Sequence, residues 1–180
     1  MAFIDSIIEE KPESQAMTGN EPARLADWLV LLGFVALCLG AAALGGIFTL
    51  PGLGIWYHRL HKPPLIPPRW TLGPIWVALY LIMAVAAWLV WRRRHAHRVA
   101  IPMALFAEQL ILNVAWPAVF FTLRKPALAA GEVVLLWVSI LINVIAFRGI
   151  STAAATLMEI YLLWVTFVAA LTIMIWRLNA

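Results

Sequence analysis

Five apolar segments, each long enough to cross a lipid bilayer, are the strongest constraint on how this chain can fold. A helix needs about 20 predominantly apolar residues to span the hydrocarbon core. The segments are connected by short breaks that carry arginine or lysine, so neighbouring helices must run antiparallel. They cover approximately residues 28–50, 70–91, 99–123, 126–147 and 152–176. The sequence therefore predicts an all-α integral membrane protein, folded as a bundle of five transmembrane helices.

The composition agrees with a chain whose main solvent is lipid. Apolar residues make up 64% of the 180 residues and charged residues 12%, whereas soluble domains have roughly 45–50% and 25%. The single cysteine, Cys38, excludes an intrachain disulfide. The arginines abut membrane segments, where snorkelling accounts for them, so no nucleic-acid partner is expected.

The first 27 residues differ from the rest of the chain because they are acidic. Six carboxylates stand there against Lys11 and Arg24. The segment is neither arginine-rich, as a mitochondrial presequence would be, nor basic at its start, as a secretory signal would be. We therefore expect residues 1–27 to form a mobile or surface-lying acidic tail, followed by one membrane domain at residues 28–180.

The stretch between the first two apolar segments, residues 51–69, is unusually rich in proline. Pro63, Pro64, Pro67 and Pro68 stand in it as two pairs. Each proline fixes its own φ and biases the preceding residue toward extended geometry. The sequence thus predicts a semi-rigid, extended capping loop that lies across the mouth of the bundle.

Five basic side chains in this loop have two alternative interpretations. They could form a basic rim suited to the carboxylates of a ligand, or they could meet anionic lipid headgroups. The residues are His58, Arg59, His61, Lys62 and Arg69. The sequence leaves both alternatives open.

The third apolar segment carries a stripe that mixes amides with aromatic rings. Gln109, Asn113, Trp116 and Phe120 follow one another at spacings of four, three and four, which places them on one helix face. Amide groups are costly in lipid unless they are partnered, so the stripe is expected to face the bundle interior. Pro117 has no N–H, so the Asn113 carbonyl loses its usual helical partner.

Two other segments also present large rings on one face. Trp76 and Tyr80 do so in the second segment, and Tyr161, Trp164 and Val168 do so in the fifth. Each of these residues taken alone fits ordinary helix packing. Taken together, bulky rings around a few polar groups indicate a site for a flat, mostly apolar ligand.

Acidic residues inside the apolar runs are further functional candidates, because a carboxylate in a membrane is costly. They are Glu108, Glu132 and Glu159, and Arg148 near a helix end is a possible structural partner. The histidine pairs His58/His61 and His95/His97 lack further ligands, so no metal site is expected.

Several of these motifs together resemble the TspO/translocator family, also called TspO/MBR or tryptophan-rich sensory proteins. The resemblance rests on the loop WYHRLHKPPLIPPRW with the following Trp76 and LYLIMAVAAW, the Gln109, Asn113, Trp116 and Phe120–Phe121 pattern, and Tyr161-x-x-Trp164. It implies a five-helix membrane receptor, usually a homodimer, that binds tetrapyrroles such as protoporphyrin IX or haem. Carried over by motif, the ligand-binding residues are Tyr57, Pro67, Trp76, Tyr80, Asn113, Trp116 and Trp164.

The resemblance also implies a role and a location. The role is porphyrin homeostasis or stress signalling, with a light-dependent porphyrin-degrading enzyme or a tetrapyrrole or sterol transporter as alternatives. Trp76 and Trp164 would serve the photochemistry, and no obligatory cofactor is expected. Ile173 replaces the tyrosine of the family's cholesterol motif, which removes support for sterol binding. The expected location is a bacterial inner membrane, or an organelle membrane in a eukaryote.

Overall fold

The structure, a computed structural model, describes residues 21–180. Within that range it contains six α-helices and no strand, and five of the helices are long and apolar enough to cross a membrane. The predicted fold class, an all-α bundle of five transmembrane helices, is confirmed. The helices are α1 (Glu21–Thr49), α2 (Ile55–Arg59), α3 (Arg69–Trp91), α4 (Ala100–Pro117), α5 (Pro126–Arg148) and α6 (Thr152–Leu178).

The first helix, α1, begins several residues before the predicted first apolar segment. The helix begins at Glu21 and not at Trp28, so residues 21–27 are helical. The rest of the acidic tail lies outside the described residues. Asp27 has a reason to be ordered, because its carboxylate forms a 3.5 Å ion pair with Arg92 and its carbonyl accepts a 3.0 Å hydrogen bond from the Trp88 indole. Trp28 stacks on Trp88 at 6.1 Å, which completes the attachment of α1 to the end of α3.

The half of the bundle remote from the loop is filled by a tightly packed core. Small residues of α3 lie at its centre, since Ala84, Ala86 and Ala87 are completely buried. Small side chains let helix backbones approach closely, which matters in lipid because packing drives helix association there. Phe106 of α4 stacks on Phe147 of α5 at 6.3 Å and fills the remaining volume.

The amide stripe of α4 faces inward, as predicted. Gln109, Asn113 and Phe120 are buried, and Trp116 is half-buried. The Asn143 amide of α5 donates a 3.4 Å hydrogen bond to the Gln109 side-chain oxygen, so one amide partners the other across the two helices. This pairing lowers the cost of placing polar groups in the apolar interior.

The end of α4 departs from a regular helix at Pro117. The chain continues from Ala118 to Thr122 as a π-helix, in which the amide of Leu123 donates to the Ala118 carbonyl at 2.9 Å. Proline cannot donate to the helical ladder, and a local π-turn accommodates the disturbed hydrogen bonding. The widened turn carries Phe120 and Phe121 to the loop end of the bundle.

The capping loop is seated on this π-helix through a glycine. A 3₁₀ turn at Leu50–Gly52 follows α1 directly. A Cβ atom at Gly52 would lie 2.6 Å from the Phe121 Cβ atom and 2.7 Å from the Phe121 backbone. Real Cβ atoms do not approach so closely, so this contact requires glycine.

The Gly52→Ala substitution is therefore expected to destabilise the fold by about 1–3 kcal/mol, because the loop must move away from Phe121. Thermal unfolding in detergent checks the change in melting temperature. Gly40→Ala is the matched control: a Cβ there meets nothing within 4 Å, and alanine is the better helix former. Equal melting temperatures for the two variants would contradict the assigned contact.

Candidate ligand-binding cavity

A cavity of about 430 Å³ occupies the half of the bundle next to the capping loop. Its volume lies in the range of about 300–1,000 Å³ typical of small-molecule sites. Side chains from α1, α3, α4, α6 and the loop line it. All seven residues assigned by the family motif lie on its wall, namely Tyr57, Pro67, Trp76, Tyr80, Asn113, Trp116 and Trp164. The structure brings them together, and their role in ligand binding stays a prediction.

The indole rings on the wall contact one another. Trp76 lies 6.4 Å from Trp116 at an interplanar angle of 29°, and 6.5 Å from Trp164 at 90°. A planar ligand sandwiched between two rings needs about 7 Å, which is two stacking distances of about 3.5 Å. The space between the planes of Trp76 and Trp116 is therefore too narrow for a flat ligand. The rings form one continuous surface, here called the aromatic wall (Trp76, Tyr80, Trp116 and Trp164), and a flat ligand can lie against it.

The aromatic wall continues into the π-helix. Trp116 stacks on Phe120 at 5.5 Å and meets Phe121 edge-on at 5.9 Å. Contacts in this range are favourable because the edge and the face of a ring carry opposite charge. The rings are thus held in place before any ligand arrives.

The side of the cavity that α1 forms was not predicted from the sequence. Ala42, Gly45, Gly46 and Thr49 line the cavity there, and their small side chains leave its volume open. Small residues at helical spacing are typical of close helix packing, and the same pattern also fits a face that must leave room for a ligand. Four lining residues of α6 were also not predicted. They continue the face of Trp164 toward the end of the helix, and helical periodicity could have found them: Phe167, Leu171, Thr172 and Ile175.

Polar groups of the wall have no hydrogen-bond partner among the described residues. These buried, unpartnered atoms are the amide oxygen and nitrogen of Asn113 and the indole nitrogens of Trp116 and Trp164. An unsatisfied buried polar group costs roughly 1–3 kcal/mol. A ligand that offers hydrogen-bonding atoms to these groups would recover part of that cost.

Tyr161 was predicted on the same face as Trp164 but lies below the cavity. It is completely buried, and its hydroxyl has no hydrogen-bond partner among the described residues. The side chain packs in the buried core of the bundle and does not line the cavity.

The cavity lining contains no charged side chain within the described part of the chain. A second groove of about 350 Å³ adjoins the mouth and shares Tyr57, Ile66, Pro67 and Leu72 with the cavity. It adds His58 and Lys62, so we call this groove the basic vestibule. An uncharged chamber thus opens beside a basic one.

The loop that forms the vestibule is only partly extended. Residues 55–59 form the short helix α2, so the extended segment that the paired prolines predict is limited to the later part of the loop. Pro51 precedes this helix and the paired prolines begin only at position 63, so no proline interrupts residues 55–59. Trp56 and Tyr57 pack on Phe120 and Phe121 with ring centroids 5.9 and 5.8 Å apart.

The second half of the loop is extended at its two ends and turns at positions 64 and 65. Leu60 has φ −66° and ψ 135°, and Pro68 has φ −55° and ψ 141°. Lys62 donates a hydrogen bond to the Tyr57 carbonyl, and its ammonium group lies 4.3 Å from the centre of the Tyr57 ring. Arg59 and His61 are exposed and do not line the vestibule, and the side chain of Arg69 lies outside the described structure.

The three acidic candidates lie away from the cavity. Glu159 pairs with Arg148 on the outer surface, which is the structural alternative left open by the sequence. Glu108 is exposed on the outer face of α4. Both carboxylate oxygens of Glu132 are buried without a hydrogen-bond partner in the part of the chain that the structure describes. None of the three belongs to the cavity lining of the described residues.

Comparison with known proteins gives a consistent result. The family model described as "TspO/MBR family" matches residues 34–177. The chain is 35% identical to the "Translocator protein" of Sus scrofa over 158 residues, which is 84% of this chain and 91% of that protein. It is also 35% identical to the "Tryptophan-rich protein TspO" of Chlorobaculum tepidum, over 84% of this chain and 96% of the other.

A third relative has the same level of similarity. The "Tryptophan-rich sensory protein" of Cereibacter sphaeroides is 35% identical over 85% of this chain and 93% of its own length. The range matched by the family model includes the loop and the aromatic wall, and each of these relatives covers more than four fifths of the chain. With this coverage and the five-helix bundle described above, the chain belongs to the TspO/MBR family of multi-pass integral membrane proteins.

Proposed function

We propose that this protein is a membrane receptor for tetrapyrroles, with metal-free protoporphyrin IX as the best-fitting ligand. The observation that carries the proposal is the pairing of an uncharged cavity, one side of which is a continuous aromatic wall, with a basic vestibule at its mouth. The family resemblance favours the same class of ligand. The protein would act in porphyrin homeostasis or stress signalling, as a homodimer in a bacterial cell membrane.

The two chambers match the two chemical parts of a porphyrin. The macrocycle is flat and apolar, and its burial against the aromatic wall would supply most of the binding free energy, at about 25 cal/mol per Å² of apolar surface. The two propionates project from one edge of the ring. An unpaired carboxylate is too costly to bury in the uncharged cavity, so the propionates would lie in the vestibule near Lys62.

The donor atoms of the cavity bear on the choice between protoporphyrin IX and haem. Haem proteins hold the iron through an axial histidine, cysteine, methionine or tyrosine. No histidine, cysteine or methionine lines the cavity in the described chain, and Tyr57 and Tyr80 are the residues that could serve. Haem would depend on one of these phenols, whereas the metal-free ring needs no axial ligand.

The shape of the cavity favours a receptor over a transporter. Its lining comes from the loop half of each helix, down to Tyr80 in α3 and Asn113 in α4. The other half is closed by the core of buried alanines, Phe106 and Phe147. A ligand would therefore enter and leave by the same end.

Removing two indoles of the aromatic wall is expected to weaken binding. In the Trp76→Ala, Trp164→Ala double variant the affinity for protoporphyrin IX should fall roughly tenfold or more, because ring contacts are worth about 0.5–1.5 kcal/mol beyond their buried area. Titration in detergent followed by the Soret absorbance measures this affinity. Trp28→Ala removes an exposed indole at the opposite end of the bundle and should leave the affinity unchanged. Unchanged affinity in the double variant would reject the cavity as the binding site.

Lys62 tests the position of the propionates. Lys62→Gln is expected to weaken protoporphyrin IX binding about twofold to fivefold, as for a partly exposed ion pair. Binding of the uncharged dimethyl ester should not change, and this comparison separates charge from any disturbance of the loop. Arg59→Gln, on the same loop but outside the vestibule, is the matched control. An equal loss for the acid and the ester would show that Lys62 acts through loop structure.

Light-dependent porphyrin breakdown is a second candidate function, favoured by the contact of Trp76 with both Trp116 and Trp164. A ligand lying on this wall would have three indoles in reach as electron donors, with oxygen as the oxidant. Illumination of the complex in air should then remove the Soret band for more than one equivalent of porphyrin, and the double variant should be slower. Loss of one equivalent or less, with the same rate in both proteins, would leave the receptor as the remaining candidate.

A further inference from the structure

The side chain of Asn179, the residue that follows α6, holds the backbone of the capping loop. Its Oδ1 atom accepts a 2.9 Å hydrogen bond from the His61 amide. Its Nδ2 atom donates to the His61 carbonyl at 2.9 Å and to the Ile175 carbonyl at 2.8 Å. One carboxamide thus binds both polar groups of a single loop residue and one carbonyl in the last turn of α6.

The chemistry of this contact is specific for an amide. A carboxamide carries one acceptor and two donors, and here each of them has a partner. A backbone residue in extended conformation presents its N–H and C=O side by side, as in a β-ladder, and the side chain pairs with both. The extended geometry next to the prolines, with Leu60 at ψ 135°, gives His61 this presentation. Rotation of the amide by 180° would place its NH₂ group against the His61 N–H, so the pattern also fixes the orientation of the side chain.

The bonded segment leads directly into the roof of the cavity. His61 precedes Lys62 of the vestibule, and Ile66 and Pro67 of the same segment line the cavity. The first half of the loop is held separately, by the packing of Trp56 and Tyr57 on the π-helix. The two halves of the cap therefore have different attachments, and Asn179 belongs to the half that the ligand must displace.

We propose that Asn179 is a positioning residue that holds residues 60–67 over the cavity and sets the rate at which ligand exchanges. This inference rests on the proposed function for the identity of the ligand. The contact is exposed to water, so each of its hydrogen bonds adds a modest amount and the segment can open without unfolding the bundle. We call the hydrogen-bonded contact between Asn179 and His61 the clasp. Its opening exposes the vestibule and the cavity mouth together.

The first experiment measures the loop without any ligand. Hydrogen exchange of the intact protein in detergent, resolved to the peptide that covers residues 60–67, is compared in wild type, Asn179→Ala and Asn179→Gln. Leu178→Ala is the matched control, because it truncates an exposed neighbour at the same helix end. Exchange of this peptide should rise about tenfold in Asn179→Ala, and the control should match wild type.

The second experiment measures exchange of protoporphyrin IX by stopped flow. Asn179→Ala should raise both the association and the dissociation rate about tenfold, while the Kd changes by less than threefold, because opening of the clasp precedes both steps. Asn179→Gln keeps the amide and should restore part of the wild-type behaviour. If Asn179 had only a structural role, Asn179→Ala would lower the melting temperature without raising the two rates together.

The outcomes separate the inference from the proposed function. If wild type binds protoporphyrin IX and Asn179→Ala has wild-type rates and wild-type hydrogen exchange, the inference is overturned and the proposed function stands. If wild type does not bind the porphyrin, the proposed function is overturned, and hydrogen exchange alone decides the clasp: a rise at residues 60–67 supports it and no rise removes it. A rise in hydrogen exchange with unchanged ligand rates would refute control of exchange by Asn179.

Discussion

The size of the side chains between the helices decides where this bundle is solid and where it is hollow. Helix axes approach to 8–10 Å depending on the residues at the contact. In the half remote from the loop, α3 places alanines at positions 84, 86 and 87 against its neighbours, and the helices close on one another. In the loop half, α3, α4 and α6 each present an indole, and these rings brace the helices apart. The small residues of α1 complete the space without filling it.

The cavity and its cap depend on each other through Pro117. Proline interrupts the hydrogen-bond ladder of α4, and the chain responds with the π-turn that places Phe120 and Phe121 at the loop end. Those two rings pack against Trp116 on one side and against Trp56 and Tyr57 on the other. The π-turn after Pro117 thus places the two phenylalanine rings on which the loop packs. An unbroken helix would carry the same rings in another direction.

Much of this architecture could be predicted from the sequence, because lipid leaves few alternatives. Backbone polar groups have no water to bind in hydrocarbon, so each long apolar segment must be a helix. The stripe from Gln109 to Phe120 follows from helical periodicity and the cost of exposed amides, and the structure buries it. Tyr161 shows the limit of such reasoning, since periodicity gives a face and not a depth, and the side chain lies under the cavity.

Other features depend on contacts between distant segments, which no local pattern encodes. The bond between His61 and Asn179 joins residues 118 apart in sequence. The contact of Trp76 with both Trp116 and Trp164 depends on how three helices are rotated. The residues could therefore be predicted as candidates, but the continuous wall that they form could not. The helix at residues 55–59 packs on aromatic partners more than 60 residues away in the sequence. The paired prolines of the loop lie after this helix, so they do not interrupt it.

A receptor must convert binding into a change that another molecule can detect, and the placement of the cap suits this requirement. A ligand shifts a conformational equilibrium only if it contacts the two states differently. A porphyrin on the aromatic wall would touch Ile66 and Pro67 when residues 60–67 are closed over the cavity and would lose those contacts when they open. The solid half of the bundle cannot respond in this way, because a close-packed interior has no second arrangement nearby. In the proposed receptor, the free energy of binding would therefore change the conformation of the loop, which lies outside the membrane-spanning helices.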